Sequence, residues 1–466
     1  MYIQVSDEVK RLSDIFEKNG ETLYVVGGFI RDKILGINTD IFNDIDLSSA
    51  CKPNKVVKML KDTEFEIDDS NAKLGMIAIK GKKRYEHTTF RRENYNLNGE
   101  HNPTGIEFIK DINEDARRRD FTINAVYYNT STGDIVDPVG GVADIQRRLI
   151  RTPINSDDSF MEDSERILRM IRIACSLSFE IEEKTLVSAV NCCEGVSNLN
   201  KHRIRKELEK MLYADQTYWG MKESKYAHAK CAILIGKLNL WQYILPAIAH
   251  IQESNLLDNK GEDLYVHLIN TFSVCEPEVR LACLMHDVGK QYTKETNNTF
   301  EFSSEWADII IENNLGVDGL YYSKKIIDET KRIVKAIDFD NHGIVSRRKV
   351  REFIRENIDI FDKVCMLKDA IALENTNFTQ KSKIARRWKN INIKMQKLKT
   401  PLTLAELDLN GNDIIEAVPE IQINKLGELL KNSLDFCLHH PRCNMKDILI
   451  ERVKKIVLKN PTYYFE

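Results

Sequence analysis

The stretch TLYVVGGFIRDKILG (residues 22–36) decides the N-terminal fold. A hydrophobic run meets Gly27-Gly28 and an amphipathic pattern follows, which predicts a strand, a tight turn and a helix. Two glycines at such a turn let backbone N–H groups approach a phosphate, and the helix N-terminus adds a favourable partial charge. A plain βα turn would be spelled the same way. Next comes Asp44-Ile45-Asp46, with Leu47-Ser48-Ser49 continuing a strand. Residues i and i+2 of a strand share a face, so Asp44 and Asp46 stand side by side. Neighbouring carboxylates repel unless a cation joins them, and Mg²⁺ takes hard oxygen ligands from a carboxylate or two plus substrate phosphates. Glu86, in RYEHTTFRRE (84–93), lies on a predicted third strand. It is either a third carboxylate, acting as ligand or base, or an exposed strand residue.

Outward from this block the chain changes character. Further strand-like runs are GMIAIKG (75–81) and AVYYN (125–129), and Gly and Pro cluster between about residues 20 and 160. Beyond that the pattern is helical almost throughout: RILRMIRIACSL (166–177), HRIRKELEKML (202–212) and EVRLACLMHDVG (278–289) all carry apolar side chains at helical spacing. At 466 residues the chain is too long for one ordinary domain. Charged residues are 30% and hydrophobic residues 42%, which is globular composition rather than disordered or membrane-spanning. The charged N-terminal segment lacks the apolar core of a signal peptide, and the ten scattered cysteines form no CxxC pair, so reduced thiols in a cytoplasm are expected. A net charge of −3 neither announces nor excludes a nucleic-acid binder, since local basic clusters can carry that role.

Four blocks then occur in order: GGFIRD…DIDLSS, RRRDFTINAVYYN (117–129), DPVGGVADIQRRLIRTP (137–153) and FMEDSERILRMIR (160–172). Together they resemble the class II tRNA nucleotidyltransferases, the CCA-adding enzymes and related bacterial poly(A) polymerases. The later chain resembles the long members that carry an HD domain. The resemblance implies an α/β, polymerase-beta-like nucleotidyltransferase head followed by a mostly α-helical, multidomain body. The expected divisions are a head at 1–150, a helical neck and body at 151–255, an HD-like domain at 256–380 and a tRNA-binding tail at 381–466. It also implies that Asp44 and Asp46 hold Mg²⁺, that Gly28 and Arg31 contact the nucleotide triphosphate, and that Arg119 contacts the bound nucleotide.

Within Glu162-Asp163-Ser164-Glu165-Arg166, Asp163 and Arg166 would be i and i+3 on a helix and face one way. An acceptor beside a donor can pair with the amine and ring nitrogen of cytosine or adenine, and the edges of uracil and guanine do not match. In the family this pair serves as a protein template for C and A. Arg169 and Arg172 extend the face, where they reach phosphates or hold the pair. LNKHRIRKELEKML (199–212) resembles a further family block, with His202 where an acid is usual, and Arg203 and Arg205 are either backbone contacts or a solvated face. Two departures stand out. Fifteen residues separate Gly28 from Asp44, an expected loop extension around Asn38–Phe42. In the loop Asn98-Gly99-Glu100-His101-Asn102-Pro103, the family's usual acid and arginine have become Asn98 and Glu100. That loop is thought to switch the pocket from C to A.

In the helical body, His267, His286-Asp287 and Asp369 match the ligand order of HD-domain phosphohydrolases. Two imidazoles and two carboxylates suit a second divalent metal. An auxiliary histidine expected further on is replaced by Phe302-Ser303-Ser304-Glu305, and His342 is followed by Gly343. The alternatives are hydrolysis, metal binding alone, or a buried polar network. The basic segment 381–399, with Trp388 inside it, suits tRNA phosphates or a surface helix face. PLTLAELDLNGNDII (401–415) resembles a bacterial tail block with a turn at Asn410-Gly411-Asn412. Cys437, His439, His440 and Cys443 form a single cluster, whereas zinc spacing wants two pairs set apart, so they read as a helix end.

The expected function is addition of C, C and A to the 3′ end of tRNA from CTP and ATP with Mg²⁺. The partners are the tRNA acceptor arm and the two nucleotides, with no membrane. Alternatives are a CC-adding enzyme, a poly(A) polymerase, an HD phosphohydrolase, or a catalytically silent tRNA-binding protein.

Overall fold

The computed structural model describes residues 3–37, 44–218, 221–257, 261–297 and 303–465. The extension at residues 38–42 and Phe302 lie outside these, as does the side chain of Asp44. The chain divides into two compact units, Met1–Ser254 with Asn313–Tyr322, and Asn255–Glu312 with Ser323–Glu466.

Unit one opens on a mixed sheet. Its strands are β1 (Tyr24–Val26), β2 (Asp44–Ser49), β3 (Glu66–Asp68), β4 (Met76–Lys80), β5 (Arg84–Thr89), β8 (Tyr127–Asn129) and β9 (Ile135–Val136), while β6 (Arg91–Asn94) and β7 (Gly105–Phe108) form a separate ribbon. The order is β3-β4-β5-β2-β1-β8-β9. Among the described strands of this sheet only β2 and β5 pair in parallel, and they place Asp46 opposite Glu86. The single strand expected over RYEHTTFRRE is two. Phe90 is buried between them and donates its N–H to the Ser49 carbonyl at 2.8 Å, while the Arg91 N–H turns to Asp115 Oδ1 at 3.2 Å. The chain thereby leaves the sheet.

The two faces of β2 differ as the pleat requires. Ile45 and Leu47 are buried, and their neighbour His87 meets the ring of Phe16 at 5.5 Å. Phe16 lies on the helix Asp7–Lys18, which buries Val9 and Leu12 with it and is capped by Ser6. Asp46 and Glu86 point to the other face, where Asp46 is exposed and Glu86 half-buried. Behind the sheet region in sequence, the unit is helical. The helix Glu165–Leu177 is apolar nearly all round and packs against Lys201–Leu212 and Ala227–Lys237.

Unit two is built of helices. The helical run expected over 278–289 is interrupted at the His-Asp dipeptide: one helix is Arg280–Met285 and the next is Val288–Asn297. The His286 imidazole Nδ1 lies 2.7 Å from the Cys283 carbonyl, a local hydrogen bond that competes with the helix ladder. The expectation for 381–399 also changes. Trp388, on the helix Lys383–Lys397, is fully buried, packs on Phe339 and Phe353, and donates to Asp340 Oδ2 at 3.1 Å. It belongs to the core and offers no stacking platform for a base. The turn expected at Asn410-Gly411-Asn412 is a helix start, with Asn410 capping Gly411–Ala417. Cys437 is buried in the C-terminal core and His439 pairs with Glu352 at 3.1 Å, as a helix end would have it. All ten cysteines are free. Among the described residues no helix is long and apolar enough to cross a membrane.

Candidate active site

The head site grows from the turn between β1 and the helix Gly28–Ile34. Gly27 caps that helix at φ +83°, and a Cβ there would lie 2.8 Å from Asp46 Oδ2. The turn therefore admits glycine on two grounds, backbone conformation and close approach to a carboxylate. Asp46 and Glu86 stand opposite each other in the β2–β5 register, two residues after β2 begins at Asp44. The two carboxylates, beside a turn with no side chain, are hard oxygen donors of the kind a divalent cation takes. Gly28 stands one residue on, where a Cβ would come 3.3 Å from Arg31 Nη2.

Arg31 itself is buried, and every arm is engaged: Nε to Asp32 Oδ1 at 2.8 Å, Nη1 to Asn124 Oδ1 at 2.7 Å and Nη2 to the Tyr218 hydroxyl at 2.7 Å. It ties the helix Gly28–Ile34 to the RRD block and to a tyrosine 187 residues away in sequence. Arg119 donates to the Tyr127 hydroxyl at 2.9 Å and to Asp115 Oδ2 at 3.4 Å. Burial opposes its charge, but the Tyr127 oxygen, Asp115 and the more distant Asp46 carboxylate hold it firmly cationic. Its field therefore reaches the β2 carboxylate. Asp115 had no place in the sequence reading, although its spacing of three and four before Arg118 and Arg119 was a readable signal.

Asp163 differs from expectation. It is not in a helix but in the break between Ser156–Glu162 and Glu165–Leu177, with φ −152° and ψ 100°. Its Oδ1 accepts the Glu165 N–H at 3.0 Å, and the adjacent Ser164 N–H donates to the Gly99 carbonyl at 3.1 Å. Gly99 in turn donates to the Met161 carbonyl at 2.7 Å, and a Cβ on it would strike Ser164 Oγ. The altered loop is thus seated on the break. His101 from the same loop places Nδ1 2.9 Å from Asp163 Oδ2 and 3.1 Å from Glu165 Oε2. Arg166 is buried, donates to Ser159, Glu162 and the Arg118 carbonyl, and keeps Nε 4.0 Å from Asp163 Oδ2. The acceptor–donor pair exists, with His101 on its acceptor.

Arg169 and Arg172 hold neighbouring segments. Arg169 clamps Asp120 Oδ2 at 2.6 and 2.9 Å, and Arg172 Nε reaches Glu207 Oε2 at 2.7 Å. Burial works to raise both acids, but the arginines win and hold Asp120 and Glu207 each at about 2. A depressed carboxylate stabilises the fold above its unfolded value near 4 and loses that contribution as pH falls through about 2. Each shift is worth on the order of 2 kcal/mol. Thermal melts of unit one are expected to weaken from pH 5 to pH 2, and Arg169→Met to remove part of that slope. An unchanged slope would show that the clamp contributes nothing.

In unit two, His267, His286 and Asp287 form a buried group whose ligating atoms all lie within 4.8 Å. Glu374 holds His267 Nδ1 at 2.8 Å, and the Cys283 carbonyl holds His286 Nδ1, so both rings turn Nε2 toward Asp287 Oδ2, at 3.7 and 3.4 Å. That is the arrangement that orients histidines for a metal. Asp369 does not join them. Its Oδ1 accepts the Ser382 N–H at 3.0 Å and its Oδ2 pairs with Lys389 at 3.0 Å.

Residues 23–151 match the family model described as the poly A polymerase head domain. A CCA-adding enzyme of Lactobacillus delbrueckii subsp. bulgaricus is 33% identical over 208 residues, 44% of this chain and 50% of its own. That match spans about half the relative's length. One from Enterococcus faecalis is 26% identical over 349 residues, 72% of this chain and 83% of its own. The crystal structure of the Bacillus stearothermophilus CCA-adding enzyme in complex with CTP aligns over 98% of both chains, with a TM-score of 0.67 at 20% identity, a likeness of fold. The fold and the head define a poly A polymerase head on a helical body. Over residues 23–151 the chain matches that head domain, and over part of its length it is similar to CCA-adding enzymes.

Proposed function

We propose that this protein is a cytoplasmic tRNA nucleotidyltransferase that adds C, C and A stepwise to the tRNA 3′ end from CTP and ATP, releasing pyrophosphate without a nucleic-acid template. The observation that carries this reading is the placement, in one unit, of the Asp46–Glu86 edge, the Gly27 turn and the Asp163–Arg166 pair. The names of the relatives support it. Asp44 and Asp46 would hold Mg²⁺, which would supply positive charge for an attacking hydroxyl and a leaving pyrophosphate. Glu86, beside Asp46, adds a third carboxylate. Arg119 keeps positive charge near that edge. Asp163 accepts from the exocyclic amine of C or A and Arg166 donates to the ring nitrogen, once the base takes the place of His101 on Asp163 Oδ2. Arg31, Arg169 and Arg172 act by positioning, since each is held by protein partners. Unit two supplies tRNA contacts and a second divalent metal on His267, His286 and Asp287.

A CC-adding enzyme is the second reading, favoured by Asn98 and Glu100 in the seated loop. Product mapping separates the two. Transcripts ending before CCA, after C and after CC are incubated with each nucleotide alone and with CTP plus ATP. CCA that then stops is expected. Arrest at CC would assign the loop the loss of A addition, long A-tails would make it a poly(A) polymerase, and no extension would overturn the reading.

A further inference from the structure

We propose that a cavity walled by Arg347, Arg348, Arg351 and Arg452 in unit two binds an oligophosphate, either inorganic pyrophosphate or the phosphate tail of a nucleotide. The proposal depends neither on the reading of the head nor on that of the His267, His286 and Asp287 group. The helix Arg347–Glu356 starts Arg-Arg-Lys after its cap Ser346 and has no acid in its first turn. A helix N-terminus carries positive partial charge and favours negative neighbours, so this start is unfavourable unless an anion lies beside it. The helix Lys446–Lys459 brings Arg452 to the same place, and Leu426–His439 brings Phe436. The cavity between them is about 620 Å³, and among the described residues that line it the one acid is Asp435.

The acids nearby are committed elsewhere. Asp435 pairs with Arg355, and Glu352 is shared between Arg348 at 3.3 Å and His439 at 3.1 Å. Asp447 and Glu451 border the other side of Arg452 in company with Lys455 and Lys459, and Glu451 lies 3.4 Å from Lys454. Arg351 spends Nη1 on the Leu438 and His439 carbonyls at 3.2 and 3.0 Å, and Arg452 lies over the Phe436 ring at 4.1 Å. Neither of them, nor the exposed Arg347, makes an ion pair among the described residues. The Nε–H groups of Arg351 and Arg452 are buried without a hydrogen-bond partner, although buried polar atoms are nearly always satisfied. Burial holds the His439 imidazole below its ordinary value against the pull of Glu352, and the charges of Arg348 and Arg351 add to that. Guanidinium forks match phosphate oxygens in pairs. Three guanidiniums without a carboxylate call for an anion of similar charge. A diphosphate has it, whereas each phosphodiester of RNA carries a single charge. The cavity has the size of a small-ligand site.

The test uses the full chain stripped of divalent metal, so that no metal-bound phosphate at another site enters the reading. Phenylglyoxal modification of individual arginines is followed by peptide mass spectrometry with and without inorganic pyrophosphate. Pyrophosphate is expected to slow modification of Arg347 and Arg351 at least fivefold and to leave the exposed Arg442, which does not line the cavity, unchanged. Calorimetric titration then gives the affinity. Arg347 is exposed, so Arg347→Ala leaves the core intact, and it should weaken pyrophosphate at least tenfold. Lys349→Ala removes the same charge from the same helix at a position outside the cavity lining, and should weaken it less than twofold. No protection of Arg347 and Arg351, or equal weakening in the two variants, would overturn the proposal. Protection by a tRNA transcript and none by pyrophosphate would also overturn it and assign the arginines to RNA. Adenosine triphosphate, run in parallel with pyrophosphate, identifies whether a nucleotide tail or the free diphosphate is held more tightly.

Discussion

Asp46→Asn is expected to cut nucleotide incorporation by about 10³-fold or more while leaving tRNA affinity within about twofold. A loss of that size corresponds to roughly 4 kcal/mol of transition-state stabilisation. Asparagine keeps the shape and removes the charge, and the proposed reaction leans on charge at this one atom group. Asp46 Oδ2 faces the Gly27 turn and Glu86 stands opposite it in register, so no other described carboxylate occupies its place. Asp46 is exposed, so the substitution leaves the core intact. Glu86→Gln should cost less, about 10- to 100-fold, because Glu86 lies one strand further along the sheet. Single-turnover extension with a primer ending in CC measures both. Incorporation by Asp46→Asn near the wild-type rate would remove the head as the seat of chemistry.

Asp163→Ala is expected to lower discrimination of CTP and ATP against UTP and GTP by about 10²-fold, close to 3 kcal/mol. The variant loses the acceptor that an exocyclic amine requires, and Arg166 alone donates to any base edge. His101 also loses a partner that it now holds at 2.9 Å, so the loop is released from the break. His101→Ala separates the effects: it frees the loop and preserves the acceptor. Equal selectivity in Asp163→Ala and wild type would show that the base is read elsewhere. Selectivity lost in His101→Ala as well would assign the reading to the loop.

Much of the head was legible because its signals are local. The strand–Gly-Gly–helix turn, the paired aspartates and the break from period two to helical spacing each depend on neighbours within a few residues. The positions of Asp120 and Glu207 as partners of Arg169 and Arg172 had no such signal, since 49 and 35 residues separate the pairs. Asp163 was misplaced on a helix because its spacing to Arg166 is helical, while the loop that breaks the helix arrives from Gly99. Trp388 was assigned to a surface because the charges around it dominate its segment, and the aromatic partners that bury it, Phe339 and Phe353, come from other helices. Asp369 and Lys368 illustrate the limit most directly. They are adjacent, and which one lines the cavity beside His267 and His286 depends on where Ser382 and Lys389 draw the carboxylate.

By itself the order of residues determined an α/β head, the helical remainder and the chemical kind of the head's groups, because hydrophobic period, glycine conformation and carboxylate pairing are properties of short segments. Only the tertiary structure decided that Glu86 stands beside Asp46, that Arg31 is held by Asn124 and Tyr218, that His101 sits on Asp163, and that Lys368 lines the cavity beside His267 and His286. Each of these rests on side chains brought together across dozens of residues by burial of apolar surface, which is non-directional and leaves no mark in local spacing.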